Sequence, residues 1–188
     1  MRVAVIADTH LPSLLRDLDQ LGPQIRETLA TAGLILHAGD VTSPAVLDWC
    51  EQFAPVLVAR GNHDTADDPR IADRQFVDIE GWRIGMVHEL RPETRPIREM
   101  LAERMRGERV DVLIAGDTHV ERLEYREETL LLNPGSPILP HHLETRLGTL
   151  AVLDIEPTAI GAEIVLLGET PGRRNPCRAS RVAVRRET

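Results

Sequence analysis

Apolar residues come in short blocks along this chain, and most blocks stop at a polar cluster. Residues 3–7 are short, β-branched and apolar on both alternating faces, and 34–37 and 55–59 look the same. That is the pattern of strands buried on two sides. Between the first two, Pro23 suits a first helical turn, Ile25 and Leu29 share a face, and Gly33 suits a helix end. Between the second and third, Ser43 is a good N-cap with Pro44 beside it, and Val46, Leu47, Cys50 and Phe53 form an apolar stripe. Strands alternating with helices predict a parallel sheet with right-handed crossovers.

The pattern then changes. Residues 76–79 and 83–87 flank a hairpin-like Glu80-Gly81-Trp82 connection. Ile97, Leu101 and Met105 fall on one helical face that ends near Gly107, and 110–115 is another buried strand. Residues 122–125, 129–132, 147–154 and 160–166 follow as strands separated by turns, so this half is expected to be antiparallel. The elements together predict two sheets with helices outside. Residues 1–168 are expected to form one domain. Residues 169–188 carry six arginines and two prolines without a sustained apolar period, and are expected to be an Arg-rich, flexible C-terminal tail.

Composition narrows the classes. At 188 residues the chain can bury one sizeable core. A net charge of −8 argues against a general grip on nucleic-acid phosphates. All 22 basic residues are arginine, so neither Arg60 nor Arg91 stands out by type as a phosphate ligand. Five apolar residues before Asp8 are too few for a secretory leader, and no run approaches a membrane span. Cys50 and Cys177 lie far apart and form no disulfide framework, so a reducing cytoplasm is the expected compartment.

Five of the expected strands end in side chains that bind metals. The residues are Asp8 and His10, then His37 and Asp40, then Asn62, His63 and Asp64, then His88 and Glu89, then Asp117 and His119. In open α/β sheets the crevice beyond the strands' carboxyl ends is where ligands sit. A single Asp-x-His or Gly-Asp could be turn chemistry alone; five such strand ends, in a chain with seven histidines, point to a metal. The triplet Asp-Thr-His occurs twice, at 8–10 and 117–119, each time after a strand, so the two copies could close a site from opposite sides.

The order Asp8-x-His10, Gly39-Asp40, Gly61-Asn62-His63-Asp64, His88, Gly116-x-x-His119 resembles the calcineurin-like metallophosphoesterase superfamily. More narrowly, it resembles the small bacterial and archaeal phosphodiesterases that share their fold with a retromer subunit; Asn133-Pro134-Gly135-Ser136 is typical of that group. The resemblance covers roughly residues 1–168. It implies a four-layer α-β-β-α sandwich holding two divalent metals, manganese foremost, with iron, zinc, nickel and cobalt as alternatives. Asp8, His10, Asp40 and His119 would hold the first metal. Asn62, His88 and Asp117 would hold the second, with Asp40 bridging. His63 would be the catalytic acid and Asp64 would orient it; capping of the following turn is the other role open to Asp64. A hydroxide bridging the metals would attack a phosphodiester or phosphomonoester, the diester preferred.

Two positions depart from the resemblance. Asp117 stands where that family usually has histidine, and Glu89 and Leu90 follow His88 where it usually has glycine. Three carboxylates facing two dications would favour oxygen-loving metals. The implied partner is a small phosphate ester, with no membrane and no general nucleic-acid binding; a homo-oligomer is left open. The competing reading is a non-catalytic protein-docking module of the same fold. The retromer branch lacks the catalytic histidine, so the presence of His10 and His63 favours an enzyme. Among the other histidines, His37 reads as a core or supporting residue, and His141 and His142 read as a solvated loop.

Overall fold

The computed structural model describes residues 1–11 and 18–186. β1 (Arg2–Ile6), β2 (Leu34–His37), β3 (Val56–Ala59) and the two-residue β4 (Ile71–Ala72) are parallel neighbours, joined by α1 (Pro23–Leu29) and α2 (Pro44–Cys50). β5 (Gln75–Ile79) and β6 (Trp82–Met86) make the expected hairpin. α3 (Ile97–Arg104) leads to β7 (Val112–Ile114), then the β8 (Arg122–Arg126) and β9 (Thr129–Asn133) hairpin. β10 (Thr149–Glu156), β11 (Ala159–Leu166) and β12 (Ser180–Arg185) complete the chain.

These strands form two mixed sheets. The larger runs β12-β11-β10-β1-β2-β3-β4 and the smaller β5-β6-β7-β9-β8. Alternation along each strand explains the layering. In β1, Val3 and Val5 enter the core between the sheets, where they meet Leu36, Ile84, Val112, Ile114, Leu130 and Leu132. Ala4 and Ile6 face the other way, onto Ile25 and Leu29 of α1 and Val46 and Leu47 of α2. On the far side, Met100 and Leu101 of α3 pack with Leu113 and Leu131. The two-sided apolar strands thus reflect helices outside both sheets, the four-layer arrangement the resemblance implies.

Three expectations need correction. α1 ends at Leu29, and Gly33 instead donates its N–H to Arg2 O at 2.9 Å, opening β2. The second half is not purely antiparallel: β6, β7 and β9 are mutually parallel, and β10 and β11 join the first sheet, where β10 lies antiparallel to β1. The C-terminal segment is not a flexible tail through residue 186. β12 pairs along β11 from Ala159↔Arg185 to Ile164↔Ser180, Val182 and Val184 turn into the inter-sheet core, and Arg186 lies 3.8 Å over the Trp82 ring. Residues 187 and 188 lie outside the described residues. No described helix is long and apolar enough to cross a membrane.

Candidate metal centre

The parallel strands of both sheets point their carboxyl ends at one cavity, and the loops leaving them bring the polar residues together. Ser43 does cap α2, accepting from Ala45 N at 3.4 Å, so the loop after β2 is free to carry Asp40 inward. Asp8, His10, Asp40, Asp117 and His119 all adopt left-handed backbone conformations, with φ between 45° and 67°. Such residues persist where their surroundings over-determine them. Glycines permit the close approaches: a Cβ on Gly61 would sit 2.2 Å from Asp40 N and Oδ1, and one on Gly39 would meet the His88 ring at 2.5 Å.

The two Asp-Thr-His triplets therefore share a backbone shape, and they interlock. Asp117 N donates to the Asp8 carboxylate at 3.0 Å, and His10 Nε2 lies 3.1 Å from His119 Nε2. Their aspartates differ. Asp8 is fully buried, with Oδ1 3.6 Å from His119 Nε2. Asp117 sits at the rim: one oxygen forms an ion pair with Arg91 Nε, and Oδ1 is 3.8 Å from His88 Nε2.

Ligating atoms gather in two overlapping groups, Asp8-His10-His119 and Asp8-Asp40-His88, each within 4.8 Å. Asp40 Oδ2 is 3.5 Å from both His10 Nε2 and His88 Nε2 and 4.0 Å from His63 Nε2, while its Oδ1 accepts from His63 N at 2.9 Å. Asn62 Oδ1 lies 2.9 Å from His88 Nε2. Asn62 and Asp117 are the expected ligands outside both compact groups, and Asp117 lies the farther from His88 Nε2, at 3.8 Å.

The donor chemistry fits a cation. His119 Nδ1 donates to Leu139 O at 2.9 Å and His88 Nδ1 to Ala38 O at 2.7 Å, which turns both Nε2 atoms into the cavity. There they meet carboxylates and an amide oxygen. Without a metal the group must hold protons instead. Burial opposes a charge on His88, but the hydrogen bond to Asp40 and the fields of Asp8 and Asp40 raise it to about 9. Asp8 is pushed well above the usual carboxylate range by burial, with the Asp40 and Asp117 charges adding to it. Burial works against ionised Asp40 too, yet His88 and the His63 N–H hold it down at about 2. Burial lowers His119 to about 4 and lowers His10 as well, so both rings stay neutral, the form that binds metals.

Supporting residues lie one contact further out. His37 is fully buried and belongs to the core: Gly39 N donates to its Nδ1, and its Nε2 donates to Thr9 Oγ1 at 3.2 Å. Ser136 Oγ donates to Asp8 O at 2.8 Å, and Asn133 Nδ2 to Gly116 O at 2.8 Å, so the Asn-Pro-Gly-Ser run fastens both triplets. Thr9 carried no signal of its own in the sequence. His63, by contrast, is exposed at the mouth, its ring edge-on to His10 at 5.5 Å.

Two expectations are overturned by these contacts. Asp64 does not turn to the His63 ring. Its Oδ2 accepts from Gly61 N at 2.8 Å and Asp40 N at 3.0 Å, and its Oδ1 from Thr42 N at 2.8 Å, because the loops after β2 and β3 leave these N–H groups without partners in the sheet. The His141–His142 segment is not merely solvated. His142 stacks on His119 with ring centroids 4.0 Å apart, and His141 Nε2 lies 2.7 Å from Glu121 Oε2. Glu89 faces outward and pairs with Arg104 at 3.2 Å.

Residues 1–158 match the family model described as the calcineurin-like phosphoesterase superfamily domain. The chain is 34% identical over 171 residues to a probable metallophosphoesterase of Methanothermobacter thermautotrophicus, covering 89% of this chain and 94% of that protein. Its fold is similar to Chaetomium thermophilum Vps29, with a TM-score of 0.79 over all of both chains at 18% identity. It is also similar to a structure described as a novel archaeal phosphodiesterase, with a TM-score of 0.61 over 88% of this chain and 99% of that one at 22% identity.

Proposed function

The chain belongs to the calcineurin-like phosphoesterase superfamily, and from that premise we propose that it hydrolyses small phosphate esters, diesters before monoesters, at a dinuclear divalent-metal site. Asp8, His10, Asp40 and His119 would hold one ion; Asn62, His88 and Asp117 would hold the other, with Asp40 within reach of both. The observation that carries this reading is the position of the Asp40 carboxylate, in reach of His10 and His88 together.

Bound there, two dications, manganese foremost, supply Lewis acidity and neutralise phosphoryl charge. The chain does the rest. Leu139 O and Ala38 O fix the tautomers of His119 and His88, so both nitrogens that face the cavity are unprotonated when loaded. Asn62 contributes an oxygen without adding a further negative charge to those of Asp8, Asp40 and Asp117. His63 is held by its backbone N–H on Asp40 while its ring stays exposed, which suits donation of a proton to a leaving-group oxygen. Asp64 keeps the two loops together and touches no reacting atom.

Hydrolysis of bis-p-nitrophenyl phosphate and p-nitrophenyl phosphate by metal-stripped, manganese-reloaded protein tests this. The expected result is manganese-dependent turnover, faster on the diester, and about 100- to 10,000-fold lower in His63→Ala. Equal inertness of both proteins with manganese, iron, zinc, nickel and cobalt overturns it. The likeness to Vps29, which extends over all of both chains, favours protein docking as the second reading in that case.

A further inference from the structure

Outside the cage, three connecting segments bring a second set of metal-binding side chains together. Glu121 lies just before β8, His141 lies in the short turn Pro140–His142, and Cys177 lies between β11 and β12. His141 Nε2 is 2.7 Å from Glu121 Oε2 and 3.8 Å from Cys177 Sγ. One ligand atom from each residue falls within 4.8 Å of the other two.

The convergence discriminates between uses. In a nucleophile–base–acid relay the thiol and the carboxylate engage opposite ring nitrogens. Here both face the same one, which is the arrangement of donors around a common centre. Nor is Cys177 an activated nucleophile: burial, then the Glu121 charge, push its thiol up to about 12. Zinc bonds of roughly 2.0–2.3 Å at tetrahedral angles place donors about 3.3–3.6 Å apart. The nitrogen–sulfur separation is close to that, and the carboxylate needs only a small retreat.

The set is held in place by its backbone. Glu121 Oε1 accepts from Arg178 N at 2.9 Å, Cys177 N donates to Asn175 Oδ1 at 3.0 Å, and Asn175 Nδ2 spans Gly148 O and Gly168 O. Cys177 is buried and the Glu121 side chain is 11% exposed, while the His141 side chain is 30% exposed, leaving a way in and room for a fourth ligand from solvent. Consecutive left-handed residues, with φ of 56° at His141 and 54° at His142, send the first ring to this set and the second onto His119.

We propose that Glu121, His141 and Cys177 form a separate mononuclear site for a thiophilic dication, zinc foremost. The mixture of thiolate, imidazole and carboxylate suits zinc, whereas manganese prefers oxygen ligands. Binding releases the Cys177 proton to solvent and requires His141 to ligate through an Nε2 freed of the proton it shares with Glu121, the ring keeping its proton on Nδ1. Because His141 N donates to His119 O at 2.9 Å, an ion here braces the segment that positions His119.

Cobalt titration of the reduced, metal-stripped full chain tests the site, since the cage contains no sulfur. The expected spectrum has a near-ultraviolet thiolate-to-cobalt charge-transfer band. That band disappears in Cys177→Ser and His141→Gln, persists in Cys50→Ser, and leaves visible cobalt absorption from the cage. Cage absorption without the band, or a band that survives Cys177→Ser, overturns the proposal; absence of all cobalt absorption overturns both sites. The unmutated chain supplies an independent measurement. Alkylation in moderate urea followed by peptide mapping should show zinc protecting Cys177 more than Cys50, and equal labelling overturns the proposal.

Discussion

His10 and His119 face each other with Nε2 atoms 3.1 Å apart, across a gap in sequence of 109 residues. One follows a strand of the larger sheet, the other a strand of the smaller. Each ends an Asp-Thr-His triplet of the same left-handed shape, so similar local conformations bring unlike aspartates to the centre and to the rim.

The rim aspartate is expected to tune metal preference. Asp117 is shared between Arg91 and the side of the cage facing His88. Replacing it by histidine removes a negative charge and adds an imidazole. Asp117→His should shift the ratio of zinc- to manganese-supported hydrolysis toward zinc by roughly tenfold. Reloading stripped protein with each metal measures this; an unchanged ratio rules out Asp117 as a ligand.

Asp8 lies at the centre of a conflict between folding and binding. Its carboxylate is fully buried beside Asp40, and burial pushes it well above the usual carboxylate range, so ionising it in the metal-free protein is costly. Asp8→Asn should raise the metal-free thermal midpoint by about 2–4 °C, equivalent to roughly 1 kcal/mol. It should also abolish the rise that manganese produces in wild type. A lower metal-free midpoint contradicts the account.

Asp64 and His63 are neighbours with separable roles. Asp64→Ala leaves the N–H groups of Gly61, Asp40 and Thr42 without their acceptor and should cost about 2–3 kcal/mol. His63→Ala, at an exposed ring, should change stability by less than about 0.5 kcal/mol while removing turnover. Urea denaturation of both variants decides; equal stability losses would refute the division.

A pH signature is expected away from the site. Arg70 bonds Asp68 at 2.6 Å and reaches Asp48 and Glu51 of the α2 end, tying that helix to the approach to β4. The Arg70 hydrogen bonds hold Asp68 at about 2, below its ordinary 3.8. A depressed carboxylate stabilises above its unfolded value and loses that contribution as pH falls through the folded one. Arg70→Met should therefore be less stable by roughly 1 kcal/mol near neutrality, and the gap should close between about pH 4 and 2. A gap independent of pH would show that packing of the arginine stem carries the difference.

The sequence exposed the site where chemistry and topology coincide. Asp8, His10, Asp40, His88 and His119 are conspicuous because metal-binding types recur just past apolar blocks, and the two-sided apolarity of β1 and β2 already implied layers on both faces. Roles that depend on backbone partners were hidden: nothing in residue type tells that Asp64 answers three N–H groups instead of the His63 ring. β4 is too short to leave a pattern. In β12 the alternation of Val182 and Val184 is present but obscured by flanking arginines, whose long stems can lie along a sheet edge or an aromatic face while their charges stay wet. Glu121, His141 and Cys177 lack any characteristic spacing, since three separate connections deliver them.

Ser136 Oγ donates to Asp8 O, so the first loop of the protein is fastened by a residue 128 positions later. A nascent chain that has emerged only through β3 owns Asp8, His10 and Asp40, three of the seven expected ligands, and lacks the rest of the cage. Cation capture by the complete set would therefore wait until both sheets have met, and a cation-dependent signal from this protein would report finished molecules rather than partial ones.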